Sequence, residues 1–193
     1  MPRLVQAHKW TVMWLNSCGG TTLAIFFVKL VRKIFMQAET EEIYSGTIEK
    51  PDKLTAIKLA INCSKYIHEL RNDWDENKKN IIKETVDFID AAYDQPDKFQ
   101  VRSMLDKAII VYGRREQSED IYIYLLYVSL KERGKHYGSQ LLNYVIDSAR
   151  SSSIIKLSVD KNNEKAIKFY ESNGFKIEKS DSDITYEMAY IKC

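Results

Sequence analysis

The sequence predicts an α/β (α+β) fold, with a mixed, mostly antiparallel central sheet flanked by helices. Three observations lead there. Helical periodicity fills residues 51–95, three short strand-like runs joined by polar turns follow it, and a further helical pattern separates the third run from a fourth. The 193 residues suffice for one compact domain and a short extension. At 45% hydrophobic and 29% charged, the chain can fill a real core and is not a disordered one.

The elements follow in order. Gly19 and Gly20 mark a break before a helix from about Thr21 to Ala38, within an extension that ends near Ser45. Gly46 and Pro51 bracket a short extended piece at Thr47 to Glu49. Pro51 can open a helix, because its missing N–H costs nothing in the first turn, and Leu54, Ile57, Ile61 and Ile67-His68 keep a roughly helical period. A stronger helix carries Ile81, Ile82, Thr85, Ile89 and Ala92 at three- and four-residue intervals and stops before Pro96.

Phe99 to Leu105 then reads as a strand, Asp106-Lys107 as a tight turn, and Ala108 to Tyr112 as the next strand. A polar turn over Gly113 to Asp120 leads to Ile121 to Val128, an aromatic and aliphatic run suited to a central strand. Three strands joined by short turns are most simply an antiparallel meander. The next helix face is Leu141, Leu142, Val145, Ile146 and Ala149. That excursion makes the following strand, Ile154 to Val159, parallel to its neighbour, since a parallel return needs such a crossover. Asn163 can cap a short helix bearing Ala166, Ile167 and Tyr170, which Asn173-Gly174 can end. Phe175 to Ile177 and Ile184 to Tyr190 form a closing hairpin around Ser180 to Asp183.

Composition narrows the function. A net charge of +2, from 29 Lys and Arg against 27 Asp and Glu, gives nucleic acid little to bind beyond short pairs such as Arg114-Arg115. Cys18, Cys63 and Cys193 are isolated and odd in number, which fits a reducing, cytoplasmic setting better than a disulfide framework. His8, His68 and His136 have no partner at metal-ligand spacing, so no metal is expected. The apolar run Leu23 to Val28 is closed by Lys29, Arg32 and Lys33 too early to cross a bilayer. A helix packed on the domain, or one lying on a membrane surface, fits it better.

One turn carries chemistry. Arg133-Gly134-Lys135-His136-Tyr137-Gly138 joins a strand end to a helix start, where unpaired N–H groups and the helix field attract phosphate. Its two glycines allow close approach or positive φ, and Arg133 and Lys135 add positive charge. It is neither a Rossmann fingerprint nor a P-loop. Downstream stands Asn163-Glu164-Lys165-Ala166-Ile167-Lys168-Phe169-Tyr170-Glu171-Ser172-Asn173-Gly174-Phe175.

Together these runs resemble the GCN5-related N-acetyltransferase (GNAT) family. The first is similar to its Arg/Gln-x-x-Gly-x-Gly/Ala loop, and the second to its Asn-x-x-Ala-x-x-Phe-Tyr-x-x-x-Gly-Phe run, in the right order and at the expected separation. The clear resemblance covers about Ile121 to Ile191 and implies an acyl-CoA N-acyltransferase fold, with 1–45 as an extension and 46–193 as the acetyltransferase domain.

The resemblance implies acetyl-CoA as acyl donor and a small-molecule or peptide amine as acceptor. It implies that backbone groups at Leu126, Tyr127 and Val128 bond the pantetheine arm. Arg133, Gly134, Lys135, His136, Tyr137, Gly138 and Ser139 would receive the pyrophosphate. Asn163 would hold the cofactor arm, act as the helix N-cap, or do both. Tyr170 would protonate the departing thiolate as a general acid, or else be a core aromatic.

Two positions depart from the pattern. His136 stands where the family usually has glycine, and Leu130 replaces a common proline. For the acceptor's proton, Glu119 and Asp120 are the nearest acidic candidates, with ordinary turn residues as the alternative. Tyr122, Tyr124 and Tyr127 could line an acceptor cleft on alternate faces. Cys63 and Cys193 have no His partner in sequence to support a thiol nucleophile. The competing reading is a non-catalytic acyl-CoA-binding or regulatory module. A sheet edge or the N-terminal helix could support a homodimer.

Overall fold

The computed structural model describes residues 47–115, 120–180 and 182–192, so the helix expected at Thr21 to Ala38 and the extension to Ser45 lie outside the described residues. Strand β1 (Ile48–Glu49) leads into helices α1 (Lys53–Arg71) and α2 (Trp74–Asp94). Strands β2 (Phe99–Met104), β3 (Ala108–Arg114) and β4 (Ile121–Val128) follow. After a 3-10 turn at Leu130–Glu132 come α3 (Tyr137–Ser148), β5 (Ile154–Asp160), α4 (Glu164–Ser172), β6 (Lys176–Ser180) and β7 (Thr185–Ile191). The described strands make one sheet in the order β1-β2-β3-β4-β5-β7-β6. Every neighbouring pair is antiparallel except β4 and β5, which α3 connects as a parallel crossover. The mixed, mostly antiparallel sheet expected from the sequence is the observed one.

Some local expectations need correction. Pro51 does not open α1. Asp52 is its N-cap, accepting from the Thr55 N–H at 3.0 Å, and the Pro51 carbonyl instead accepts from the Tyr93 hydroxyl. The buried face of α1 is Ala56, Leu59 and Ala60, while Leu54 is 75% exposed. Alanines let the helix lie close to the sheet, a face that a search for large apolar residues passes over. Leu105 belongs to the β2–β3 turn, where its φ is 56°. Strand β3 also continues through Gly113 to Arg114, and the position needs glycine because a Cβ there would stand 2.0 Å from the Lys98 carbonyl oxygen.

Helices cover both faces. On one, Leu141, Leu142 and Val145 of α3 pack with Ile123, Ile155, Leu157 and Phe175. On the other, Ala56, Leu59 and Ile89 of α1 and α2 pack with Val101, Val111 and Tyr127. Fully burying a side chain such as Leu141 contributes about 1.5–3 kcal/mol. Among the described residues no helix is long and apolar enough to cross a membrane.

Two irregularities in β4 position the site. Ile123 pairs with Tyr112 and Leu125 with Val111, so Tyr124 is an extra, bulged residue. The bulge resets the alternation: Ile121, Ile123, Leu126 and Val128 face α3, and Leu125 and Tyr127 face α1 and α2. The second irregularity is that pairing of β4 with β5 ends at Ile123↔Leu157, although β4 runs to Val128 and β5 to Asp160. Beyond that point the two strands part, and the sheet opens into a wedge.

Candidate active site

Two cavities of about 400 and about 320 Å³ occupy this opening. Cys63 and Ile67 of α1, Leu126 of β4, and Asn163, Ala166 and Tyr170 at α4 line both of them. The cavities therefore meet along one shared wall.

The turn after β4 closes the first cavity. Gly134 has φ 81° and His136 has φ 60°, so left-handed residues alternate in the turn and tighten it against the start of α3. Such a φ is free for glycine; histidine tolerates it better than most residues, at a cost of about 1–3 kcal/mol. His136 is also the N-cap of α3 but makes no side-chain cap bond. The first backbone bond into the helix runs from the Gln140 N–H to the His136 carbonyl. The amides of Tyr137, Gly138 and Ser139 thus sit at an uncapped helix N-terminus, a natural seat for an anion. At Gly138 an added Cβ would come within 3.3 Å of the Phe169 ring, so the bare backbone lets α3 approach α4 closely.

Of the residues singled out from the sequence, Leu126, Tyr127, Val128, Arg133, Gly134, His136, Tyr137, Gly138, Ser139, Asn163 and Tyr170 line this cavity. Lys135 does not. Its ammonium is held at 3.1 Å by Glu132, whose carboxylate side chain is itself part of the cavity lining. Arg133 lies over the Tyr66 ring, 4.3 Å from its centre, and its Nε donates to the Val128 carbonyl at 3.3 Å. Lys165, in the first turn of α4, adds a cation to the wall that the sequence reading did not single out.

Asn163 is the N-cap of α4, with its side chain accepting from the Ala166 N–H at 3.3 Å, and it lines both cavities as well. Tyr170 is 7% exposed and packs on Phe169 and Phe175. Among the described residues its hydroxyl has no hydrogen-bond partner, yet no fully buried side-chain polar atom is left unpartnered. The hydroxyl therefore reaches open cavity space. Burial pushes the phenol well above the ordinary tyrosine range. Burial likewise pushes the Cys63 thiol up to about 12, with Arg133 offsetting part of the effect.

The second cavity is walled by side chains from α1, β4 and β5. Arg71 Nε donates to Asp160 at 2.5 Å, and the Asp160 side chain is only 2% exposed. Its other oxygen accepts from the Asn162 N–H at 2.8 Å. His68 Nδ1 lies 2.8 Å from an Asp73 oxygen, and the Tyr122 and Ser158 hydroxyls bond at 2.7 Å.

Asp120, one of the two acidic residues expected near this space, is not on its walls. Asp120 lies 3.8 Å from Lys156 at the far end of β4, and Glu119 is outside the described residues. Nor do the three tyrosines alternate. The Tyr122 and Tyr124 rings meet at a tilt, 5.0 Å apart, Tyr124 packs on Phe88 and Phe99, and Tyr127 joins the same α1–α2 side, because the bulge at Tyr124 shifts the register; Tyr124 lines the second cavity and Tyr127 the first. Tyr66, Ile67 and Arg71 went unnoticed as site residues, and Cys63 and His68 were set aside as nucleophile and metal ligand: their helical spacing marks one face of α1, but nothing local says that the face meets β4 and β5.

Residues 67–175 match the acetyltransferase (GNAT) family. The chain belongs to that family. It is an N-acetyltransferase with acetyl-CoA as acyl donor. Among solved structures, PH1933 from Pyrococcus horikoshii is 25% identical, over 76% of this chain and 98% of that one, with a TM-score of 0.58. The PaiA N-acetyltransferase from Thermoplasma acidophilum, in complex with coenzyme A, is 20% identical over 76% and 99%, with a TM-score of 0.56. Ard1 from Thermoplasma volcanium is 22% identical over 77% and 99%, with a TM-score of 0.50. These likenesses place the wedge and its flanking helices in a GNAT fold. Comparison with curated proteins finds no match.

Proposed function

We propose that this GNAT enzyme moves the acetyl group of acetyl-CoA to a primary amine by direct attack in a ternary complex, using the domain formed by 46–193. The observation that carries the proposal is the shared wall at Tyr170. It has an anion-attracting helix start on one side and a separate, side-chain-lined cavity on the other.

In this reading the amides from Arg133 to Ser139 receive the pyrophosphate, with Arg133 and Lys165 supplying charge. The edge of β4 beyond its pairing with β5, at Leu126 to Val128, bonds the pantetheine arm as a further strand would, and Asn163 fixes the turn beside it. The thioester then lies at the junction of the cavities. An amine from the second cavity attacks its carbonyl, the C–N bond forms, the C–S bond breaks, and Tyr170 protonates the sulfur. A raised phenol stays protonated across the working range, and a thiolate released into the same dry site is correspondingly basic. Cys63, held as a thiol, is a poor candidate for a covalent acetyl carrier. The acceptor is a small molecule or a peptide amine.

Titration calorimetry with acetyl-CoA, followed by thiol release over an amine panel, tests the proposal. Tyr170→Phe should lower kcat by about 10²-fold or more while leaving acetyl-CoA affinity unchanged. Wild-type turnover by that variant would remove Tyr170 from the chemistry. Binding without thiol release for any amine would favour the non-catalytic reading.

A further inference from the structure

Direct attack needs a free amine, so some group on the acceptor side must take its proton. We propose that His68 is that base, with Asp73 as the residue that positions it. This rests on the reading above, in which the second cavity receives the amine.

His68 lies in the last turn of α1 and lines the second cavity together with Tyr170. Asp73 holds it twice. The Asp73 N–H donates to the His68 carbonyl at 3.1 Å, and the carboxylate meets Nδ1 at 2.8 Å. A carboxylate only accepts, so it selects the neutral tautomer that carries its proton on Nδ1. The lone pair is then on Nε2, which has no hydrogen-bond partner among the described residues. An imidazole in a cavity wall, oriented by a carboxylate and with no partner on its second nitrogen among the described residues, is the arrangement a general base requires.

The position of Asp73 adds a second observation. It is the N-cap of α2, where an aspartate ordinarily accepts from the helix amides, yet it makes no side-chain cap bond. Its carboxylate is turned to the imidazole instead. Arg71, the other basic residue of the last turn of α1 and on the same cavity wall, is paired with buried Asp160, so its charge is compensated.

The acceptor enters as an ammonium, and Nε2 removes one proton and passes it to water. The nitrogen lone pair then forms the C–N bond as the C–S bond breaks. Of the two protons the nitrogen loses in all, one goes to solvent. The other returns, by way of water, to the Tyr170 oxygen that gave its proton to sulfur, so amide and free thiol are the products and the phenol is restored.

The test uses the full chain, acetyl-CoA, and three acceptors: a peptide with a free N-terminus, lysine and an alkyl diamine. With whichever acceptor the wild type turns over, His68→Ala should lower kcat/KM about 10²-fold with acetyl-CoA affinity unchanged, and added imidazole should restore part of the rate. Asp73→Asn should give a smaller loss at unchanged acetyl-CoA affinity. His68→Gln serves where the alanine variant fails to fold. Wild-type rates in the His68 variants, or a loss that imidazole does not relieve, would overturn the assignment while leaving the transferase reading intact. A wild-type protein that binds acetyl-CoA but turns over none of the amines would defeat both.

Discussion

The two cavities are built in different ways. The first is closed by one contiguous turn, Arg133 to Ser139, and its distinctive donors are main-chain amides at an uncapped helix start. The second is assembled from side chains of α1, β4 and β5, brought together only by the fold. In the proposed reading this division has a reason. The phosphates of acetyl-CoA are the same for every acceptor, and a backbone cradle can hold them whatever side chains surround it. An acceptor is told from its competitors by the side chains it meets, so that wall is free to vary.

The largest test of this contrast falls on the side-chain wall. Arg71→Met leaves the Asp160 carboxylate, 2% exposed, without its cation. Breaking such a pair from one side costs about 3 kcal/mol or more, which for a domain of this size lowers Tm by roughly 6–12 °C. The paired change Arg71→Met with Asp160→Leu removes the stranded charge and should recover most of the loss in a thermal melt. If Arg71→Met melts like the wild type, the ion pair does not hold α1 against β5, and the second wall is less built than it looks.

The same contrast explains what the sequence disclosed. The first cavity was legible because its parts are local: a strand, a turn with glycines at 134 and 138, a helix, and then Asn163 and Tyr170 at a fixed interval. Lys135 was the exception, since its pairing with Glu132 depends on how the turn closes. The sheet was legible through short aliphatic and aromatic runs joined by polar turns, and through a long crossover. The wall contributed by α1 was not. Its buried face is made of Ala56, Leu59 and Ala60, small residues with a weak periodic signal. The His68–Asp73 pair spans a helix break at Asn72, whose left-handed φ of 60° cannot be read from spacing. The bulge at Tyr124 escaped for the same reason, because one extra residue looks like ordinary alternation until its partner strand is known.

A smaller effect probes the backbone wall. His136 holds φ 60° where glycine would be unstrained, so His136→Gly should stabilise the fold by roughly 0.5–1 kcal/mol, the relieved strain being partly offset by the freer unfolded chain. His136→Ala keeps the strain and removes only the imidazole. If main-chain amides do the binding, the alanine variant should hold acetyl-CoA within about twofold of the wild type, under 0.5 kcal/mol. A tenfold loss on His136→Ala, measured by calorimetry, would mean that the imidazole itself reads the donor and would blur the distinction between the two walls.

The smallest expected effect lies where the walls meet. Cys63 lines both cavities, and a thiol poised between donor and acceptor invites a covalent relay. Burial argues against it: with the thiol pushed up to about 12, the proton stays on sulfur through neutral pH, and thiolate appears only as the pH rises toward that value. In a chain with Cys18 and Cys193 changed to serine, iodoacetamide should therefore alkylate native Cys63 slowly at neutral pH. It should do so at the rate of an ordinary thiol once the protein is unfolded. Cys63→Ser should leave thiol release within a few-fold of the wild type. Rapid native labelling at neutral pH, together with an acetylated Cys63 trapped by acid quench, would replace direct attack by a two-step relay, and Tyr170 would then serve the first of two transfers.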